Sequence, residues 1–462
     1  MIEPRMAWDV YRPSDKNPWN LQKVGHLYRR AGFSGNWSEL QAGLEAGPEK
    51  AITQLLKGGA DRESFESQME PLTQSIRQLN NAPQMSAWWL HRMLYSPHPL
   101  REKMTLFWHN HFATSNAKVQ NVGYMLGQYS VMYRNSLGKF GPMLHEISKD
   151  PAMMIWLDTI QSVKGKPNEN YARELMELFS LGIGNYTEAD IREAARAFTG
   201  WEIVQEKYNF NVSAFDDTEK KVFGKTGQFK GEDIVDLCLE KESCAKFLVR
   251  KLFRFLISDS IPTSADLIDP LAKTFRDSGY DIGKLVETML RSNIFFSPEA
   301  YRSRIKSPID FALGMVRGLE GRPGATGVAD SLETLGQRVF NPPSVKGWDG
   351  GTTWLNGQTL LFRQNLALSM TSTEDARFGS RCDPAVLAKK HGKAKDAELV
   401  EFFLQLFLQG NVADETRQRL QDYTAQAAKR KYPIYWSEED IADHRVRAVC
   451  HLVLALPEYQ LD

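Results

Sequence analysis

Cysteine is scarce and unpatterned. The 462-residue chain has four, Cys238, Cys244, Cys382 and Cys450, none in a C-x-x-C pair or at zinc-finger spacing. That removes a cysteine-built metal site and a redox dithiol from the reading. A chain this long can bury a large core without staples, so the four read as small buried hydrophobes. Charge of one sign is also lacking: Lys+Arg and Asp+Glu both number 57. The composition therefore gives no argument for nucleic acid or an anionic membrane as partner. No run approaches the roughly 18 apolar residues of a membrane span. The start, Met1-Ile-Glu-Pro-Arg-Met-Ala-Trp8, lacks the charged-then-apolar order of an export leader. A cytoplasmic chain is predicted, or an exported one if a leader has been removed. Common catalytic signatures are missing too: no G-x-S-x-G, H-E-x-x-H or G-x-G-x-x-G occurs. Gly224-Lys225-Thr226 has Glu219 where a P-loop requires glycine, and Leu181–Asp190 lacks the alternating oxygen ligands of a calcium loop.

What is present is helical periodicity. Hydrophobic residues make up 42% and charged residues 25%, which places the chain among ordinary globular proteins rather than disordered ones. Val24, Leu27, Tyr28 and Ala31 form one stripe, with Asn36 or Ser38 as a cap for the next helix. Asn81 opens a helix through Trp88, Trp89 and Met93, and Leu100, Met104, Phe107 and Trp108 mark another. Residues 122–147 read as helix broken at Gly138 and at Gly141-Pro142. Asn168 is a good N-cap for a helix with Tyr171, Leu175, Leu178 and Phe179 inward and Gly182 as its stop. Thr187 to Asp190 is a variant capping box. Residues 201–230 change character: Trp201-Glu-Ile-Val, Tyr208-Asn-Phe-Asn-Val and Lys221-Val-Phe-Gly suggest short strands. Helices are expected again over 233–257, 265–297 and 308–319, and a final apolar one over Val446–Leu456. The prediction is an all-α fold, one large multi-helix domain over 1–462 with a small extended excursion near 201–230. Residues 1–200 and 233–462 are its possible halves on either side of 201–232.

Three segments carry chemistry. Trp108-His109-Asn110-His111-Phe112 holds the residue type most used for metal binding and proton transfer. On a strand His109 and His111 would share a face; on a helix they lie about 200° apart, too far round to chelate one ion. No bound metal and no cofactor is therefore expected. If the last turn unwinds, both rings can still meet, and a hydrolase-type pocket of His109, His111, Glu169, Arg173 and Glu174 is the enzymatic alternative. Asn168, Glu169, Arg173, Glu174 and Glu177 form the second segment, a polar helix face. Its i,i+4 pairs Glu169–Arg173 and Arg173–Glu177 read either as an ion-pair ladder or as an anion clamp with a nearby base. The third segment, Asn341 to Asn356, carries Lys346, Trp348 and Trp354 on a Pro- and Gly-fixed path. The indoles are either a binding platform or a buried plug, and one is expected to pack on the helix at 99–112 or 168–182.

The order and content of several stretches resemble the family of domain of unknown function 1800. They are His26-Leu-Tyr-Arg-Arg-Ala-Gly-Phe33, Pro99 to Ser115, Lys149-Asp-Pro-Ala-Met153, Asn168 to Gly182, Glu193 to Trp201, Asn341-Pro-Pro-Ser-Val-Lys-Gly-Trp348 and Leu456-Pro-Glu-Tyr-Gln-Leu461. The resemblance spans essentially the whole chain. It implies no activity that can be transferred. It implies a bacterial source and genes beside those of the DUF 1501 family, whose members resemble alkaline phosphatases and sulfatases. The expected role is thus a non-enzymatic binding or assembly partner, of a DUF 1501 protein in particular. One departure stands out: where the family pattern has a His-Asp pair, this chain has Phe215-Asp216-Asp217.

Overall fold

Helix starts fall where short polar side chains can satisfy the first free N–H groups. Asn36 and Glu39 close a reciprocal capping box at Trp37–Lys57, so Asn36 rather than Ser38 is the cap. Asn81 accepts from Gln84 N–H at the start of Ala82–Tyr95. Thr187 and Asp190 cap Glu188–Ala197 reciprocally. The computed structural model describes residues 3–378, 381–393, 395–427 and 430–462; the first two residues of the segment read for a leader lie outside these. Helix makes up 62% and strand 5%, so the fold is all-α as expected. Among the described residues no helix is long and apolar enough to cross a membrane.

The extended excursion is two antiparallel hairpins. Trp201–Val204 pairs with Lys207–Phe210, Trp201 opposite Phe210, and Lys220–Val222 pairs with Lys225–Gly227. Both turns take two residues at positive φ: Gln205 at 49° and Glu206 at 65°, then Phe223 at 50° and Gly224 at 78°. That backbone matches the right-handed twist of the strands. Only the second turn carries a glycine, so the first is held by its flanking pairs rather than by its own residue preferences.

Several expectations shift: residues 233–257 fall into Gly231–Glu240 and Glu242–Leu256, and Gly141-Pro142 lies inside helix Phe140–Ser148 rather than breaking one. The region 265–297 is two helices, Ala265–Asp277 and Ile282–Arg291, parted where Gly279 and Tyr280 turn to positive φ. The last helix begins at Glu438, not Val446, because Ser437 and Asp440 form a capping box ahead of two polar turns. The helix expected from Asn168 begins at Asn170 and runs only to Glu174, then widens into a π-helical turn over Leu175–Ser180. Asn168 instead accepts from Asn170 N–H at 2.9 Å in a local turn.

Two apolar cores result. One contains Leu27, Met104, Trp108, Phe179, Ala194, Trp201, Val222 and Leu248, so the hairpins are stitched into it. The other contains Val24, Trp89, Leu106, Ile309, Phe403 and Val453. Helices Leu21–Ala31 and Pro99–His111 contribute to both cores. All four cysteines are free and buried.

Candidate functional site

Helix Pro99–His111 is buried on nearly every face, so its polar side chains need partners inside the protein. Glu102 accepts from Trp89 Nε1 at 3.1 Å, Arg92 Nε at 3.0 Å and the Tyr129 hydroxyl at 3.0 Å. Lys103 Nζ donates to Asp310. Sequence reading missed both networks. Their signal was a charge falling on an apolar stripe: Glu102 and Lys103 sit one turn before Leu106 and Phe107.

His109 and His111 point to different parts of the protein. His109 Nε2 accepts the Phe340 N–H at 3.0 Å, which puts its proton on Nδ1. Phe340 is fully buried with φ 63°, a conformation unfavourable for a bulky residue. It persists because His109 takes its N–H while its carbonyl accepts from Asn116 N–H at 2.8 Å. His111 Nε2–H donates to the Phe179 carbonyl at 3.0 Å, within the π-helical turn. Burial pushes the His109 imidazole down to about 3. Burial, then the nearby Lys251 charge, lower His111 well below its ordinary value. Both rings are neutral and committed to main-chain groups. Among the described residues, no group of three His, Cys, Asp or Glu side chains comes together to hold a metal.

The polar helix face is partly open to solvent, whereas both histidines are buried. Arg173 bonds Glu169 at 3.1 Å and Glu188 at 2.8 Å, with about a third of its side chain exposed. The expected Arg173–Glu177 pair does not form; Glu177 accepts the Tyr186 hydroxyl at 2.7 Å. Glu188 sits at the start of the next helix, and no periodicity within 168–182 reports it. Glu174 is half-buried, its carboxyl raised by burial and by the Glu177 charge. His111, Glu169 and Arg173 therefore do not share an open pocket. Asp216, the surviving acid of the altered His-Asp position, bonds Arg196 Nε at 2.9 Å as part of a fixed ion pair.

The tryptophan loop docks on the end of helix Pro99–His111. Trp348 N–H donates to Asn110 Oδ1 at 2.7 Å, and Asn110 Nδ2 returns a bond to the Trp348 carbonyl at 3.3 Å. The Trp348 ring lies 5.7 Å from His109. Gly347 has φ 79°, and a Cβ there would meet Asn110 Oδ1 at 2.1 Å, so only glycine fits. Trp348 and Trp354 are both 8% exposed. They plug the loop to the body, while Lys346 stays exposed.

The open space lies elsewhere. A cleft of about 970 Å³ is lined by Tyr423, Tyr435, Trp436, Asp443, His444 and Arg447, among others. Trp436 meets His444 edge-to-face, with ring centres 5.2 Å apart. Arg447 bonds Asp383 at 2.7 Å and Asp443 at 2.6 Å. Tyr435 and Ile434 on the adjoining segment are almost wholly exposed.

These features define an all-helical frame whose most chemical-looking side chains hold the frame together. The chain belongs to the family described as protein of unknown function (DUF1800), whose model matches residues 26–461. No curated protein and no solved structure matches it.

Proposed function

We propose that this protein is a binding or assembly factor, and that the cleft around Trp436 receives a segment of its partner. The cleft is the observation that carries this reading. It falls in the size range of ligand sites, and its Tyr and Trp wall is of the type enriched where proteins meet. Among the described lining residues, Glu374, Asp375, Asp440 and Asp443 face one Arg or Lys, Arg447; Asp375 is already held by Arg377 at 2.7 Å, and the remaining acids favour a segment carrying Lys or Arg beside apolar residues. The partner we propose is a DUF 1501 protein encoded nearby, in a bacterial cytoplasm. The hydrolase alternative draws less support, because His109 and His111 are buried and neutral with Nε2 already bonded.

Co-expression with the neighbouring DUF 1501 protein tests the proposal. A complex should co-elute on size exclusion. Trp436→Ala with Tyr435→Ala should weaken its dissociation constant at least tenfold, and Arg173→Ala should not. Absence of a complex, or a complex indifferent to the double substitution, would reject the cleft as the binding surface. Turnover of phosphate, sulfate or carboxyl esters that is lost in His109→Gln would restore the enzymatic reading.

A further inference from the structure

The first motif, His26 to Phe33, is left unused by the cleft, and it leads to the most unusual electrostatic feature of the molecule. Arg29, Arg30, Lys103, Lys306 and Arg363 are all 4% exposed or less. They come from helix Leu21–Ala31, helix Pro99–His111, the stretch before helix Pro308–Gly318, and helix Gly357–Thr371. Among the described residues, two buried acids face them. Asp310 is taken by Lys103, and Asp462 lies 3.7 Å from Arg29 Nε. Five cations against two carboxylates leave three positive charges over; a free main-chain carboxylate at residue 462 would lower that to two. The rim does not close the gap. Arg304 pairs with Asp259 at 3.4 Å, while Arg302 spends its donors on the Leu408 and Asn411 carbonyls, with the Glu458 charge near it.

Some donors of this cluster are also open, while Arg29 Nη1 is held by Gln409 and Arg363 Nη1 and Nη2 by Gln460 and the Lys306 carbonyl. Arg29 Nε and Nη2, Arg30 Nε and Nη1, and Arg363 Nε are buried without a hydrogen-bond partner among the described residues. The remaining Arg30 nitrogen, Nη2, donates to the carbonyls of Ala300 and Asp462 and to the Ser303 hydroxyl. Lys306 Nζ lies 3.5 Å from the centre of the Tyr459 ring. His26 adds no base: its Nε2–H donates to the Phe295 carbonyl, and burial with Arg30 and Arg29 beside it keeps the ring neutral. Native proteins leave few buried donors unpaired, and fewer still on charged groups.

We propose that this cluster binds one small dianionic oxyanion, phosphate or sulfate, between Arg29, Arg30, Lys306 and Arg363. A guanidinium fork matches two oxygens of such an anion, and the ammonium serves as a point charge for a third. A surplus of two or three positive charges calls for a dianion, where a lone carboxylate would leave the site cationic. Burial and the Arg29 charge pull the Lys306 ammonium well below its usual value, and a bound dianion acts in the opposite sense.

The test uses the full chain purified in chloride buffers free of phosphate and sulfate. Ion chromatography after denaturation should release about one phosphate or sulfate per chain; which one appears identifies the source. Alternatively, if the site empties during purification, sulfate and phosphate should each raise the melting temperature in a saturable way that sodium chloride of equal ionic strength does not. Lys306→Met should weaken the anion response at least tenfold, and Lys306→Arg should retain it. No released anion together with no response beyond chloride in the wild-type chain overturns the proposal, whether or not the variants fold. An undiminished response in folded Lys306→Met also overturns it.

Discussion

Acid should unfold this protein through histidines that cannot be protonated in place, and His109 is where the effect can be isolated. Its ring is fully buried, and burial moves it from the ordinary 6.5 to about 3. The unfolded chain binds a proton that the folded chain refuses. The contribution is therefore fully present above pH 6.5 and is lost as pH falls toward 3. Between those values stability changes by about 1.4 kcal/mol per pH unit for one such group, or on the order of 5 kcal/mol over the interval. His26 and His111 add slopes of the same sign, so the measurement must be a difference. His109→Gln keeps an acceptor for the Phe340 N–H and removes the titration. Urea unfolding of both proteins at steps from pH 7 to pH 4.5 should give curves that diverge by about 1.4 kcal/mol per unit below pH 6.5, the wild type losing stability faster. Parallel curves would refute the reasoning and mean that the site admits a proton or that the ring does not hold Phe340.

Asp150 should act with the opposite sign. It caps Pro151–Trp156 from a buried position, and burial raises it to about 7, so the folded chain holds a proton that the unfolded chain gives up. Relative to Asp150→Asn, the wild type should lose stability as pH rises from about 4 to about 7, by roughly 1.4 kcal/mol per unit at most, measured by the same urea series. Arg173→Ala should cost under about 1 kcal/mol, because its two ion pairs face solvent; a larger fall in melting temperature would show a network deeper than the surface. Trp348→Ala should cost about 3–5 kcal/mol, as for a buried aromatic. Gly347→Ala should release the same loop, since the new methyl group meets Asn110 and the backbone stands at positive φ; the expected loss is about 1–3 kcal/mol for overpacking, with faster amide exchange over 341–356.

The sequence alone determined the features that depend on neighbours within a few residues. Caps at Asn36, Asn81 and Thr187 were legible because an N-cap needs only its own turn. The short strands near 201–230 were legible because alternation is local, though their pairing into hairpins was not, and family membership followed from the order of motifs along the chain. The two histidines were readable as wrongly spaced for one ion on a helix, which the opposite destinations of His109 and His111 bear out. Tertiary structure decided the rest. Arg173 chose Glu188 over Glu177 because the loop at 182–187 folds the next helix start back beside it. The turn at Leu175–Ser180 widened in a place where His111, from 68 residues away, takes the Phe179 carbonyl. The buried cations Arg30, Lys306 and Arg363 sit far apart in the sequence, and each alone looks like any surface charge. Only their convergence in low dielectric makes their surplus costly. Local periodicity encodes which face turns inward; it does not encode what that face will meet.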